Sequence, residues 1–187
     1  MKDVMIDIET LGLSPGSVIF QIGAVPFGPG GVGAGLNAVV SIQASLAAGF
    51  TTDPSTVDYW VSKSDDDARI LRTAYSTVAL YPTEALTGLG LWMDQVASEA
   101  GRKRADLRVW GNGAVFDNAL IVEACRRVGV RPLWSHRADR CYRTLKALRP
   151  ITAAPAFEGR PHDALDDARH QARHAVAILT ELGWPED

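Results

Sequence analysis

Two carboxylates lie at alternate positions near the end of an apolar segment at the start of the chain. Residues 4–12 read Val-Met-Ile-Asp-Ile-Glu-Thr-Leu-Gly, which places the acids at Asp7 and Glu9. Alternate residues of a β-strand share a face, so both acids point one way while the neighbouring Val and Ile side chains point the other. Like charges held that close repel each other, and a divalent cation removes the repulsion. The pattern favours a metal site over its alternative, the solvent-exposed face of an edge strand.

A third acid, Asp117, lies in the first turn of a helix predicted over 115–128. The segment before it, Gly111-Asn112-Gly113, ends a short apolar strand predicted over 107–110. An acid in the first turn of a helix is often only a favourable partner for the helix dipole. By itself, therefore, Asp117 is as well explained by helix stability as by chemistry.

The last candidates surround the start of the final helix, predicted over 164–182. His162 comes just before this helix, and three acids, Asp163, Asp166 and Asp167, fill its first turn. Helix periodicity does not choose among these acids, because all of them lie off the apolar stripe. Two further histidines, His170 and His174, are one helical turn apart and have polar neighbours, so we expect both to be solvated.

The elements that must position these residues alternate between strands and helices. Strands are predicted over 4–8, 18–27 and 36–42, with Gly28–Gly33 as a hairpin tip, so the first three strands form an antiparallel meander. Two short helices are predicted within 53–75, the second capped by residues 64–67. Further helices are predicted over 82–99 and 140–148, and the Pro- and Gly-rich segment 150–161 is a loop of the kind that often covers a site.

Bulk properties predict one globular domain spanning residues 1–187. The chain of 187 residues has 47% hydrophobic and 22% charged residues, which is typical of a protein with a sizeable core. It contains neither a membrane-spanning apolar run nor the pattern of a secretory signal, so we expect a cytoplasmic protein. Cys125 and Cys141 lie in predicted helical segments without metal-ligand spacing, and we interpret them as buried thiols without a function.

The net charge of −3 argues at first against a nucleic-acid partner, but the charge is unevenly distributed. Residues 1–100 carry four Lys or Arg against eleven Asp or Glu, whereas residues 101–187 carry fifteen against eleven. Within 126–149 the basic residues are opposed only by Asp139. This basic segment could follow a phosphate backbone or could be a solvated helix face. Its basic residues are Arg126, Arg127, Arg131, Arg137, Arg140, Arg143, Lys146 and Arg149.

Taken together, three motifs resemble those of a known enzyme family. They are Asp-Ile-Glu-Thr-Leu-Gly at 7–12, Asn-Gly-Ala-Val-Phe-Asp at 112–117 and His-Asp-Ala-Leu-Asp-Asp-Ala at 162–168. Their order and the five-residue step from the histidine to the last aspartate resemble the DEDDh branch of the 3′-5′ exonuclease superfamily, which includes ribonuclease T and oligoribonuclease. Residues 56–60, followed by 68–69, are also similar to a smaller branch with phage-type exodeoxyribonucleases and a mycobacterial exoribonuclease.

The resemblance implies an α/β, ribonuclease H-like fold, a mixed five-stranded sheet flanked by helices. It also implies metal-dependent 3′-5′ hydrolysis of single-stranded DNA or RNA with release of nucleoside 5′-monophosphates, and it leaves the sugar open. Such an enzyme uses two Mg²⁺ or Mn²⁺ ions, and related enzymes act as homodimers. The implied metal ligands are Asp7, Glu9, Asp117 and Asp167, the implied general base is His162, and the implied nucleotide contacts are Thr10, Leu11 and Phe116.

Other interpretations stay open at this point. Trp60 and Lys63 are further candidates for substrate contacts, although one ring of the pair Tyr59-Trp60 is better explained as core. Gln21 stands where relatives often have a glutamate, so its role is undefined. A nucleic-acid-binding module without activity and a phosphohydrolase of small nucleotides are the two alternative functions.

Overall fold

The computed structural model describes residues 1–64 and 69–184. Residues 65–67 of the predicted helix cap, and Ala68 of the finer sequence resemblance, lie outside this part of the chain. The predicted mixed sheet flanked by helices is confirmed, with a short sixth strand added. The strands run β1 (Asp3–Thr10), β2 (Ile19–Gly28), β3 (Gly31–Val32), β4 (Leu36–Val39), β5 (Arg108–Gly111) and β6 (Asp139–Cys141).

Strand β1 lies at the centre of the sheet, whose order is β3-β2-β1-β5-β6. It pairs antiparallel with β2 along nearly its whole length and parallel with β5, from Asp3 opposite Arg108 to Ile6 opposite Gly111. Strands β3 and β4 pair with opposite ends of β2, which completes the predicted meander. The acids of β1 therefore lie on a buried central strand and not on a solvated edge strand.

The helices cover both faces of this sheet. They are α1 (Ile42–Ala47), α2 (Pro54–Val61), α3 (Arg69–Ala74), α4 (Pro82–Glu99), α5 (Asp117–Arg127), α6 (Tyr142–Leu148) and α7 (Ala164–Leu182). Two turns of 3₁₀ helix lie at Arg104–Asp106 and His136–Ala138. In the described part of the chain, no helix combines the length and the apolar character that crossing a membrane requires.

Two boundaries differ from those predicted by the sequence pattern. The strand predicted over 36–42 ends at Val39, because the Ser41 hydroxyl accepts a hydrogen bond from the Ala44 N–H and starts α1. The segment at 139–141 pairs with β5 before α6 begins, so Cys141 lies on a strand and is only partly buried. Cys125 is buried in α5, as expected. Here the Ser41 helix cap and the pairing of residues 139–141 with a parallel strand 30 residues away determine the boundaries, and hydrophobic periodicity does not.

Alternation along β1 divides the core between the two faces. Val4, Ile6 and Ile8 join the larger cluster beneath α4 and α5, whereas Met5 joins the cluster beneath α7. Helix α7 crosses the sheet so closely that a Cβ at Gly23 would overlap the backbone of Ala164. Glycine at this position of β2 thus allows the first turn of α7 to rest against the sheet, on the face to which Asp7 and Glu9 point.

Candidate active site

Asp117, the third predicted acid, is positioned by the loop that leaves β5. Gly111 ends β5 opposite Ile6 of β1, and Asp117 is the first residue of α5. A Cβ at Gly111 would lie 2.9 Å from the Asp117 carboxylate, so glycine is needed for this close approach. The carboxylate is buried, and its Oδ2 finds no hydrogen-bond partner among the described residues. Burial of a carboxylate oxygen without such a partner makes Asp117 a candidate cation ligand.

The first turn of α7 places the last acid and the histidine. Asp163 is the N-cap of α7, and its side chain accepts a hydrogen bond from the Leu165 N–H. The Ala164 N–H donates to Gln21 Oε1 at 3.0 Å. Gln21 Nε2 donates in turn to Asp163 Oδ1 at 3.2 Å, and Gln21 is fully buried. Gln21 therefore ties strand β2 to the start of α7, which gives a structural role to a residue whose function the sequence left undefined.

His162 and Asp167 meet through the backbone just before that helix. The His162 N–H donates to Asp167 Oδ2 at 3.1 Å. His162 is also the single non-glycine residue with positive φ in the described chain, at 61°. This left-handed backbone is uncommon for histidine and turns the imidazole toward the acids. One ligand atom each from Glu9, His162 and Asp167 lie within 4.8 Å of one another.

The four predicted carboxylates influence each other's ionisation. We call Asp7, Glu9, Asp117 and Asp167 the carboxylate cluster. Burial raises the pKa of Asp7 well above its usual value, and the charges of Asp117, Glu9 and Asp167 add to the rise. Burial, followed by repulsion from Asp167, raises the pKa of Glu9 to about 8. Burial also raises the pKa of Asp117 to about 7 and that of Asp167 to about 6. Without a cation the site resists full ionisation at neutral pH.

The imidazole of His162 lies between this cluster and helix α2. Its Nε2 is 3.3 Å from the Tyr59 hydroxyl and 3.3 Å from Lys63 Nζ. An ammonium group can only donate, so Nε2 accepts from Lys63 in this arrangement. Lys63 Nζ also lies 4.3 Å from the centroid of the Tyr59 ring. We call His162, Tyr59 and Lys63 the histidine side of the site.

A cavity of about 370 Å³ opens beside both groups. Its walls include the predicted residues Thr10, Trp60, Phe116 and His162, together with Glu9 and the exposed side chain of Leu13. Trp60 is buried and its indole N–H donates to the Thr10 carbonyl at 3.0 Å, so it is the core ring of the aromatic pair, whereas Tyr59 is exposed. The cavity is large enough for one nucleotide and is lined as ligand sites usually are.

One predicted nucleotide contact is placed differently. Leu11 is buried and does not line the cavity. Its backbone N–H donates to the Val18 carbonyl at 2.9 Å, and its own carbonyl accepts from the Asp53 N–H at 2.7 Å. The structure thus brings Asp7, Glu9, Asp117, Asp167 and His162 together, with Thr10, Phe116, Trp60 and Lys63 around them. Leu11 supports this arrangement from the core.

The chain also matches the sequence model of a known family. The sequence model of the Rv2179c-like 3′-5′ exoribonuclease domain matches residues 2–179. The chain belongs to this family. It is a 3′-5′ exonuclease domain, and the resemblance to the DEDDh nucleases that the three motifs carry is confirmed. A search of curated proteins finds no match to the sequence.

Solved structures of nucleases, one of them described as a DEDDh family member, share the fold of this domain at low identity. The nuclease domain of 3′hExo bound to rAMP has a TM-score of 0.62 at 16% identity, over 96% of this chain and 92% of that one. Exonuclease X in complex with 5′ overhanging duplex DNA has a TM-score of 0.53 at 14% identity, over 98% and 94%. A full-length 3′-exonuclease has a TM-score of 0.57 at 16% identity, and the match covers 96% of this chain but 60% of that protein.

Two features of the Rv2179c-like site were not expected from sequence. Gln171 Nε2 donates to Asp7 Oδ1 at 2.6 Å, and this contact opposes the rise in the Asp7 pKa. Its position four residues after Asp167, on the same helix face, is the signal that could have identified it. The expectation of solvated histidines is wrong. His174 is buried, with Nδ1 2.8 Å from the Tyr142 hydroxyl and Nε2 2.9 Å from the Thr152 carbonyl, and His170 is half-buried against Phe157.

Proposed function

We propose that this domain removes nucleotides from the 3′ end of single-stranded RNA and releases nucleoside 5′-monophosphates in a metal-dependent reaction. The observation that carries the proposal is the gathering of four acids, one buried and three half-buried, beside a histidine and an open cavity of nucleotide size. RNA is favoured over DNA because the matching family is described as exoribonuclease and because the 3′hExo domain is seen with rAMP.

The chemistry of the donor set fits divalent cations. All four members of the carboxylate cluster offer hard oxygen ligands, which suit Mg²⁺ or Mn²⁺ better than zinc. The Oδ2 of buried Asp117 has no hydrogen-bond partner among residues 1–64 and 69–184, and the pKa values of Asp7 and Glu9 are raised, so the site needs positive charge. We therefore assign two such ions to Asp7, Glu9, Asp117 and Asp167. When bound, they would supply Lewis-acid activation and charge neutralisation for phosphodiester hydrolysis.

His162 is the proton acceptor in this proposal. Its Nε2 is the atom that would take a proton from the attacking water, and in the structure that atom accepts from Lys63. Proton transfer thus requires the imidazole to exchange this contact for the water. The residue precedes α7 and ends the loop after α6, where a small backbone change can reorient it.

The cavity would hold the 3′-terminal nucleotide. Phe116 and Trp60 offer apolar surface for the base, and the Thr10 region of β1 borders the sugar and phosphate. Lys63, at the edge of the same site, would offset phosphate charge as the substrate approaches. A contact of Leu11 with the nucleotide would run through its backbone, whose N–H and carbonyl already bind Val18 and Asp53.

A gel time course tests the proposal. The purified domain is incubated with 5′-labelled RNA and DNA of equal sequence, with Mg²⁺, with Mn²⁺ or with EDTA, beside Asp7→Ala. We expect a ladder that shortens from the 3′ end, faster for RNA, and absent with EDTA and in the variant. Metal-independent binding without cleavage would favour the binding module, and hydrolysis limited to mononucleotides would favour the phosphohydrolase. A homodimer stays a separate prediction, tested by light scattering.

A further inference from the structure

The structure separates the arginines of the basic segment 126–149 into committed and uncommitted side chains. Arg126 and Arg127 pair with Glu123, each at 2.8 Å. Arg149 pairs with Glu181 at 2.6 Å, and Arg140 donates to backbone carbonyls. These side chains support the fold and are poor candidates for a nucleic-acid track. A cation of this segment that binds substrate must instead be uncommitted and must lie near the carboxylate cluster.

Arg143 meets that condition. It lies on the first turn of α6, and its side chain is exposed. A Cβ at Gly113 would lie 3.8 Å from the Arg143 Cζ, which places the guanidinium against the loop that carries Phe116 and Asp117. Its charge acts on the Asp117 carboxylate. The guanidinium makes no hydrogen bond or salt bridge within residues 1–64 and 69–184, so its donors remain available.

Arg143 lies against the loop of Gly113 that leads to Phe116, a residue of the cavity wall. The cavity is lined by Phe116, Glu9 and His162, and Arg143 is not part of its wall. A strand whose 3′ nucleotide fills the cavity presents its scissile phosphate to the carboxylates. Its next phosphate would then pass the loop that carries Phe116 and Asp117, against which the Arg143 guanidinium lies. A planar guanidinium suits a phosphate better than an ammonium does, because it can donate two parallel hydrogen bonds.

We propose that Arg143 binds the backbone phosphate immediately 5′ of the scissile one. This inference rests on the proposed exonuclease function and extends it: the contact favours substrates that possess a second phosphate. A trinucleotide would therefore be hydrolysed more efficiently than a dinucleotide, whose one internucleotide phosphate is the scissile one.

The test makes a single substrate charge neutral. Two RNA hexanucleotides of equal sequence are compared, one with a methylphosphonate at the second linkage from the 3′ end, and release of the first nucleotide is measured. In the wild type we expect the neutral linkage to lower kcat/KM about tenfold, the loss typical of one charge-assisted contact. In Arg143→Ala the two substrates should differ less than about twofold, and Arg143→Lys should fall between.

Arg131→Ala is the matched control, because Arg131 is exposed in the same segment but beyond the far end of α5, roughly 15 Å of helix from Asp117. It should respond to the neutral linkage as the wild type does. A second measurement uses binding in an Asp7→Ala background, where removing Arg143 should reduce the salt slope by about 0.7. Thermal melting checks that each variant is folded.

The outcomes separate this inference from the function beneath it. A wild type that ignores the neutral linkage, or an Arg143→Ala protein that still loses about tenfold, overturns the role of Arg143 while exonuclease activity stands. Failure of the wild type to shorten unmodified RNA overturns the proposed function, and this inference with it.

Discussion

The carboxylate cluster and the histidine side face one cavity but are built in opposite ways. Asp7 and Glu9 lie on the central strand, and Asp117 and Asp167 lie in the first turns of the two helices that pack on either side of it. The histidine side consists of an exposed Tyr59, a half-buried Lys63 and a histidine at the end of a loop. One group is held by the core, and the other lies on surface segments.

The difference in position predicts a difference in how much the ionised side chains of each group destabilise the fold. Ionised acids crowded in a buried site destabilise the metal-free fold, as the raised pKa values of Asp7, Glu9 and Asp117 indicate. The histidine side carries no comparable penalty, because its groups reach solvent. Substitutions in the carboxylate cluster should therefore change stability and activity in opposite directions, whereas substitutions on the histidine side should change activity alone.

The largest effect is expected from Asp7→Asn. The amide keeps an oxygen that can accept from Gln171 but removes a buried charge. Turnover should fall by about 10³-fold, because several kcal/mol of charge stabilisation is lost with a metal ligand. At the same time the metal-free variant should melt a few degrees higher than the wild type. Single-turnover kinetics and thermal melting in EDTA measure both effects. A lower melting temperature in EDTA would show that the cluster is not a source of repulsion.

The next effect is expected from His162→Asn. Asparagine tolerates the left-handed backbone of this position, and the backbone N–H bond to Asp167 is retained. Loss of the proton acceptor should lower kcat by about 10²-fold or more, with the melting temperature nearly unchanged. His162→Ala serves as the comparison, since it should lose similar activity with more backbone strain. Turnover within a factor of two of the wild type would remove His162 from the mechanism.

The proximity of the five candidate catalytic residues was predictable because they stand in short motifs whose order and spacing resemble those of the exonuclease family. Asp167 could be chosen over Asp166 by its distance from His162, although helix periodicity left both open. The supports of the site were not predictable in this way. Gln21 holds Asp163 and Ala164 from more than 140 residues away, and Gln171 holds Asp7 from 164 away. Such pairs form only when distant strands and helices meet.

The differences between prediction and structure in the end of β4 and in the burial of His174 have the same origin. The end of β4 was missed because the Ser41 cap competes with an apolar run that also suits a strand. His174 was expected in solvent because its sequence neighbours are polar, yet it packs between α6 and the loop that carries Thr152. A polar residue on a helix can thus find hydrogen-bond partners on other elements inside a core, and a single sequence contains no local sign of these partners.

A pH series would sharpen the same comparison without substitution. The folded-state pKa is raised to about 8 for Glu9, about 7 for Asp117 and about 6 for Asp167. Unfolded carboxyl groups titrate near about 4. The stabilisation these groups give is therefore complete below about pH 4 and is lost as pH rises through their folded values. In EDTA the melting temperature should fall between pH 5 and 8.5, and saturating Mg²⁺ should flatten the decline.

The smallest effect on activity is expected at Trp60, which lies between the carboxylate cluster and the histidine side. The Trp60 indole N–H donates to the Thr10 carbonyl at the end of β1, and its ring packs edge-on against Phe20 at 5.0 Å. Trp60→Phe keeps an aromatic ring but leaves the Thr10 carbonyl without this donor, which should cost about 1–2 kcal/mol and lower the melting temperature by roughly 3–6 °C.

Tyr59→Phe is the matched change on the neighbouring ring. It removes the hydroxyl that contacts His162, and because Tyr59 is exposed, the stability should stay within about 0.5 kcal/mol of the wild type. Trp60→Phe keeps an aromatic ring in the cavity wall, so KM for RNA should stay within about twofold of the wild type once the protein is folded. A rise in KM out of proportion to the lost stability would show that the nucleotide site needs the whole indole and not only an apolar ring.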